Sequence, residues 1–232
     1  MPYRRTEKVV RRLAARRAAI IAAARDAASE GGMAAVQIAP VARRAGIAAG
    51  TVYRYFPGKI DLVAALVTEI SASEIAALHH AAGAAPGPLS ALSAAIMTFA
   101  TRVLRNRRLS FAATAEPVDG VLDPTQLAFR NSLAEEFSAR ISAAVAGGHL
   151  PAQNTRLAAT ALVGLLIETL IGPLAQVPGG QENKQENKLE EDKQERERVQ
   201  SLTLIALRAL GVADARARGL VVQTKLSSEA AS

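Results

Sequence analysis

Residues 37–59 read QIAPVARRAGIAAGTVYRYFPGK, and this stretch decides the fold. Within it Ala42, Gly46 and Val52 stand at relative positions 0, +4 and +10. Two short crossing helices need a small residue where they touch, a glycine free to turn left-handed, and an apolar residue that locks the second helix. The spacing predicts one helix from about Ile38 to Ala45, with Pro40 tolerated in its first turn, and a second from about Ala49 to Phe56 closed by Pro57-Gly58. Val41, Ala45, Ile47 and Phe56 complete a small core, so the opposite side of residues 48–55 faces outward.

Upstream, Leu13, Ile20, Ile21, Ala24, Ala27 and Ala28 recur at helical spacing over residues 8–30, with Gly31-Gly32 as the expected stop. The other face of that helix is arginine. Downstream, a fourth helix starts at Lys59, carries Leu62, Leu66, Val67 and Ile70 inward, and has Asp61 in its first turn, where the helix dipole favours an anion. Gly83 to Pro88 forms a break. Further helices are expected at about 89–107, 109–115, 123–147, 153–174 and 195–211. Half of the 232 residues are hydrophobic but only 3% are aromatic, with alanine throughout, which favours close-packed helices over sheet. The fold class is all-α.

Charge separates the chain into two parts. Residues 1–62 hold twelve Lys or Arg against four acids, a net of +8, whereas the remaining 170 residues come to −1 of the total of +7. Clustered cations are what a phosphate polyanion rewards, through counterion release. Cysteine is absent, so there is neither a disulfide framework nor a thiolate site, and three histidines make an all-protein zinc site improbable. No Gly-rich phosphate loop or HExxH occurs, and His79-His80 and His149 have no evident nucleophile or metal partner. The chain therefore reads as no enzyme, with no cofactor and no metal. The longest apolar stretch, Leu157 to Leu174, is interrupted by Gly164, Glu168 and Gly172, so no membrane span is expected and the chain reads as cytoplasmic, nucleoid-associated when on DNA.

If the second helix of the pair lies in the major groove, its N-terminal residues approach base edges and its flanks approach phosphates. Ala48, Ala49 and Gly50 permit close approach, and the two alanine methyls suit thymine methyls. Thr51 offers a hydroxyl to phosphate, Tyr53 an aromatic edge and a hydroxyl, and Arg54 a cation. Tyr55 and Lys59 fall to phosphate, Lys59 at a helix start where free N–H groups favour anions. Packing is the other role open to Tyr53 and Tyr55.

Residues 16–66, RRAAIIAAARDAASEGGMAAVQIAPVARRAGIAAGTVYRYFPGKIDLVAAL, resemble the DNA-binding domain of the tetracycline-repressor (TetR) family, most specifically in GTVYRYFPGK followed by Leu62. The resemblance implies that Gln37, Thr51, Tyr53, Tyr55 and Lys59 contact DNA; Gln37 stands where that family more often has threonine. It further implies a homodimer on a near-palindromic double-stranded DNA operator, a repressor released by a small-molecule effector bound in a C-terminal helical domain. The organisation expected is a helix-turn-helix domain over 1–62, a ligand-binding and dimerisation domain over 63–218 with a mobile low-complexity loop at 178–194, and a polar tail over 219–232.

In the body, Leu157, Ala161, Leu162, Leu165, Leu166, Thr169 and Leu170 make one apolar face, and Val199, Leu202, Ile205, Ala206, Ala209 and Leu210 another. Either these fill the protomer's own core, or two such pairs, about 157–174 and 195–211, make a four-helix dimer interface. A largely apolar effector would meet walls from Met97, Phe99, Phe111, Phe129, Phe137 and Leu166 with Arg130 and Glu168 as polar groups, though each also suits ordinary core packing. Glu116 reads as a turn residue. Arg4, Arg5 and Lys8 form either an arm for the DNA or a solubilising tail. Two other functions stay open: a non-specific architectural DNA-binding protein, and a small-molecule-binding protein without operator specificity.

Overall fold

The computed structural model describes residues 7–117, 124–172 and 187–224, with the side chains of 187–189 excepted. Among these residues there are ten helices and no strand: α1 (Glu7–Ala35), α2 (Ile38–Arg44), α3 (Ala49–Tyr53), α4 (Lys59–Gly83), α5 (Pro88–Arg105), α6 (Arg107–Thr114), α7 (Pro124–Ala146), α8 (Thr155–Leu170), α9 (Asn187–Ala209) and α10 (Asp214–Gln223). No helix is long and apolar enough to cross a membrane.

The chain divides into two compact units, Met1–Ile70 with Arg108–Gln126, and Ser71–Arg107 with Leu127–Ser232. The division therefore differs from the boundary expected at 62/63. The first unit takes in the rest of the apolar stripe of early α4, with Leu66, Val67 and Ile70 buried, and recruits α6 from far along the chain. Its core is Ile20, Ile21, Ala24 and Ala28 of α1 against Val41, Ala42, Val52, Phe56 and Leu62. Burying each larger aliphatic side chain there contributes roughly 1.5–3 kcal/mol.

The helical backbone of α1 stops at Gly32, as the Gly31-Gly32 pair predicts: φ there is +70° and ψ −166°, and a short turn follows to Ala35. The break is held by Arg108 of α6 and by Glu116 just beyond it: Glu116 accepts the Met33 N–H at 3.1 Å with one oxygen and the Arg108 guanidinium at 3.1 Å with the other, while Arg108 also donates to the Gly31 carbonyl at 3.1 Å. A Cβ at position 32 would lie 1.8 Å from Arg108 Nη2 and 2.4 Å from a Glu116 oxygen, so a side chain there would be strained at φ +70° and would push both tips out of the clamp. Glu116 is thus more than a turn residue.

In the second unit α5 packs on α8, α9 and α10. Arg102 grips Glu74 through two bonds of 2.9 and 2.8 Å, fixing α5 to α4, and the rings of Phe99 and Phe137 meet edge to face with centroids 6.5 Å apart. Asn154 caps α8 by accepting the Leu157 N–H at 3.0 Å. Two expectations need correction here. Residues 187–194, assigned to a mobile loop, are helical and open α9; residues 178–186 lie outside the described residues. Residues 219–223, assigned to a polar tail, belong to α10, because Ala217 and Val221 at i, i+4 spacing are buried.

Candidate nucleic-acid interface

Three residues set the angle between α2 and α3. Ala42 and Val52 are both buried, at 2% and 0% exposure, and Gly46 takes φ +65° between them. The Gly46 N–H bonds to the Arg43 carbonyl at 3.1 Å and the Ile47 N–H to the Ala42 carbonyl at 3.0 Å, the paired reverse bonds of a left-handed helix stop. Helix α3 is shorter than the 49–56 expected. After Tyr53 the chain tightens into a turn, with Tyr55 and Phe56 N–H groups both bonded to the Val52 carbonyl at 2.9 Å, because Pro57 disfavours helical backbone at the residue before it. Phe56 is buried at 3% and caps the small core, while Ala45 and Ile47 reach it only half-buried.

The outward face carries the side chains that the spacing singles out. Ala48, Gly50, Tyr53 and Arg54 are exposed, and Ala49, Thr51, Tyr55 and Lys59 half-buried. A Cβ at Gly50 would meet nothing within 4 Å, so the start of α3 is open to a close-lying surface. Tyr53 leaves 53% of its surface in solvent, whereas Tyr55 is half-buried. Lys59 opens α4 directly after Gly58, whose carbonyl accepts the Leu62 N–H at 3.2 Å. Gln37 stands at the N-cap of α2 without capping it. Its longer side chain folds back, and Nε2 donates to the Ala34 carbonyl at 3.0 Å.

The cations around this face differ in availability. Arg44 is engaged by Glu30 through two bonds of 2.8 and 2.5 Å; that contact holds the Glu30 carboxyl below its ordinary range and pushes the Arg44 guanidinium up. Arg43 and Arg54 are exposed and, among the described residues, have no acid partner. On the neighbouring helix α1, the Arg17 guanidinium lies over the Phe56 ring, 5.3 Å from its centroid.

The second unit holds a cavity of about 520 Å³ lined by His80, Ala81, Ala84, Ala85, Pro86, Ser90, Ala94, Thr98, Leu220, Gln223 and Thr224. None of the walls expected from sequence lines it. Met97, Phe99, Phe129, Phe137 and Leu166 are buried in the core, Arg130 and Glu168 are half-buried and engaged by other groups, and Phe111 belongs to the first unit, beneath Arg108. Its lining is rich in alanine, a type whose sequence signal is weak. Between α8 and α9 runs a second, apolar hollow of about 310 Å³ lined by Leu157, Ala158, Ala161, Leu162, Leu165, Ala206, Ala209 and Leu210, with Gln153 and Asn154 at its end. Leu157 beside it is 66% exposed and Ile205 on α9 is 52% exposed, so of the faces expected to be apolar, part is left in solvent.

Residues 20–66 match the family described as bacterial regulatory proteins, tetR family. Over 100 residues the chain is 40% identical to the HTH-type transcriptional repressor KstR of Mycobacterium tuberculosis, covering 43% of this chain and 45% of that one. KstR of Rhodococcus jostii is 53% identical over 55 residues, 23% of this chain and 26% of that one. The chain thus matches under half the length of these curated relatives. Among solved structures, RolR in complex with resorcinol aligns over 92% of this chain and 96% of its own, with a TM-score of 0.65 at 20% identity. FadR from Bacillus subtilis in complex with stearoyl-CoA aligns over 84% and 98%, with a TM-score of 0.63 at 17% identity. At those identities the likeness is one of fold.

Proposed function

We propose that the protein, whose residues 20–66 match the tetR family of bacterial regulatory proteins, is a sequence-specific transcriptional repressor that leaves its operator when a small, largely apolar effector binds the second unit. The observation that carries this reading is the open, small-residue face at the start of α3, bordered by Tyr53 and Arg54 and by cations without acid partners. Ala48, Ala49, Gly50, Tyr53 and Arg54 read bases; Thr51, Tyr55, Lys59 and Gln37 hold phosphates. A non-specific architectural binder would need the charge but not this shaped face.

The operator is near-palindromic because the protein acts as a homodimer, α8 and α9 of each protomer meeting their twofold mates. The solvent-exposed Leu157 and Ile205 and the apolar hollow between the two helices support this arrangement. The effector occupies the 520 Å³ cavity, whose size falls in the usual range for small-molecule sites and whose alanine walls carry a few hydroxyl and amide groups to orient a ligand. RolR and FadR, of similar fold, carry resorcinol and stearoyl-CoA in their structures. Footprinting on a genomic fragment retained by the protein tests the reading. Two protected half-sites with centres about one helical turn, or a multiple of it, apart are expected; a single unsymmetrical site bound by a monomer would overturn the dimeric operator.

A further inference from the structure

Helix α1 is longer than its domain requires. It starts at Glu7, yet its first buried residue is Ile20, so residues 7–19 form about 20 Å of helix in which only Val9 and Leu13 are even half-buried. This segment holds five cations, Lys8, Arg11, Arg12, Arg16 and Arg17, against one acid, Glu7, which pairs with Arg11. Lys8, Arg12 and Arg16 repeat at i, i+4 and share one exposed stripe about 12 Å long. Like charges at that spacing destabilise a free helix, so the stripe opposes folding unless something anionic meets it.

We propose that residues 7–19 are a helical arm that binds the DNA phosphate backbone next to the helix-turn-helix, with Lys8, Arg12 and Arg16 as its contacts. The proposal rests on the DNA-binding reading above and adds a second surface to it. Two observations select DNA as the occupant. One is charge: 12 Å of duplex axis carries about seven phosphates, a density that three evenly spaced cations suit. The other is continuity: Arg17, at the base of the arm, stacks on Phe56, which lies between the phosphate anchors Tyr55 and Lys59 in sequence. The arm thus leaves the domain at the edge of the face already assigned to DNA. Lys8, expected in an arm for the DNA, is part of this helix, and Arg4 and Arg5 lie outside the described residues.

The test compares the full chain with the Lys8→Gln/Arg12→Gln/Arg16→Gln variant on an operator duplex and on an unrelated duplex of equal length, at several salt concentrations. Ala14→Gln/Ala18→Gln in the same exposed segment serves as the control for helix disturbance. The triple variant is expected to lose roughly tenfold or more in affinity on both duplexes at low salt, with the slope of log K against log salt shallower by about 2.7 per bound protomer. The ratio between the duplexes stays unchanged, because phosphate contacts carry no sequence information. Unchanged affinity and slope on both duplexes would overturn the arm and leave the stripe to some other acidic partner. A changed ratio, or an equal loss in the control, would overturn it as well. Failure of the repressor reading is separate: the wild-type chain would then show no preference between the duplexes, and the arm would still be read from the unrelated one.

Discussion

Replacing Glu116 tests how the first unit is assembled. Its carboxylate is 15% exposed and accepts the Met33 N–H and the Arg108 guanidinium, each at 3.1 Å. Glu116→Ala leaves that amide without its partner, at a cost of about 1–3 kcal/mol. The Arg108 pair adds at most about 1 kcal/mol, because Arg108 is 40% exposed and water screens it. The sum is about 1–4 kcal/mol, with about 2 kcal/mol as its middle. Glu116→Gln keeps an acceptor for Met33 and loses only the charge, so it costs about 1 kcal/mol or less. Denaturant unfolding at fixed protein concentration gives the global change, and amide exchange over residues 31–36 gives the local one. At about 2 kcal/mol, exchange there accelerates roughly 30-fold in Glu116→Ala. If Glu116→Ala and Glu116→Gln agree within about 0.5 kcal/mol, or exchange around Met33 is unaltered, the clamp contributes nothing and the reasoning fails.

Other expectations follow from the same structure. Gly46→Ala meets no atom within 4 Å but holds alanine at φ +65°, so a loss of about 1–2 kcal/mol is expected, whereas Gly32→Ala adds a clash with Arg108 and Glu116 and unfolds more readily still in thermal denaturation. Leu157→Glu removes an apolar contact on both sides of the proposed twofold, about 3–6 kcal/mol in all, raising the dimer dissociation constant 10²- to 10⁴-fold by sedimentation; an unchanged constant would move the interface elsewhere. Lys59→Ala is expected to weaken all DNA alike, while Tyr53→Ala changes preference among sites, and equal losses everywhere from both, in competition binding, would remove Tyr53 from base reading. Asp214 is held below its ordinary range by Arg218 first and Arg208 second. Its contribution to α10 is present above the ordinary carboxylate pKa and disappears as pH falls through the lowered value, so exchange in α10 should rise in acid, and Asp214→Asn should remove that dependence.

The helix-turn-helix was legible because its determinants are local: Ala42, Gly46 and Val52 fix α2 against α3 within eleven residues. The stop at Gly32 was legible for the same reason, a local Gly-Gly pair. Glu116, 83 residues away, accepts the Met33 N–H just past that stop, and no local pattern announces that bond. Helix α10 was hidden by Gly219 and a polar end, although Asp214 in the first turn and Ala217 with Val221 at i, i+4 were available signals. The 520 Å³ cavity gave no sequence signal, because Ala81, Ala84, Ala85 and Ala94 supply much of its wall, and an alanine-rich segment looks the same whether it faces a neighbour or an empty space.

The most direct measurement is the affinity of the full chain for genomic fragments in competition at physiological salt. The account predicts one or a few fragments held roughly 10³-fold or more tighter than the bulk, with that preference lost in the Gly50→Glu variant, which closes the open face of α3. Equal affinity for all fragments, or a preference that survives Gly50→Glu, would contradict it.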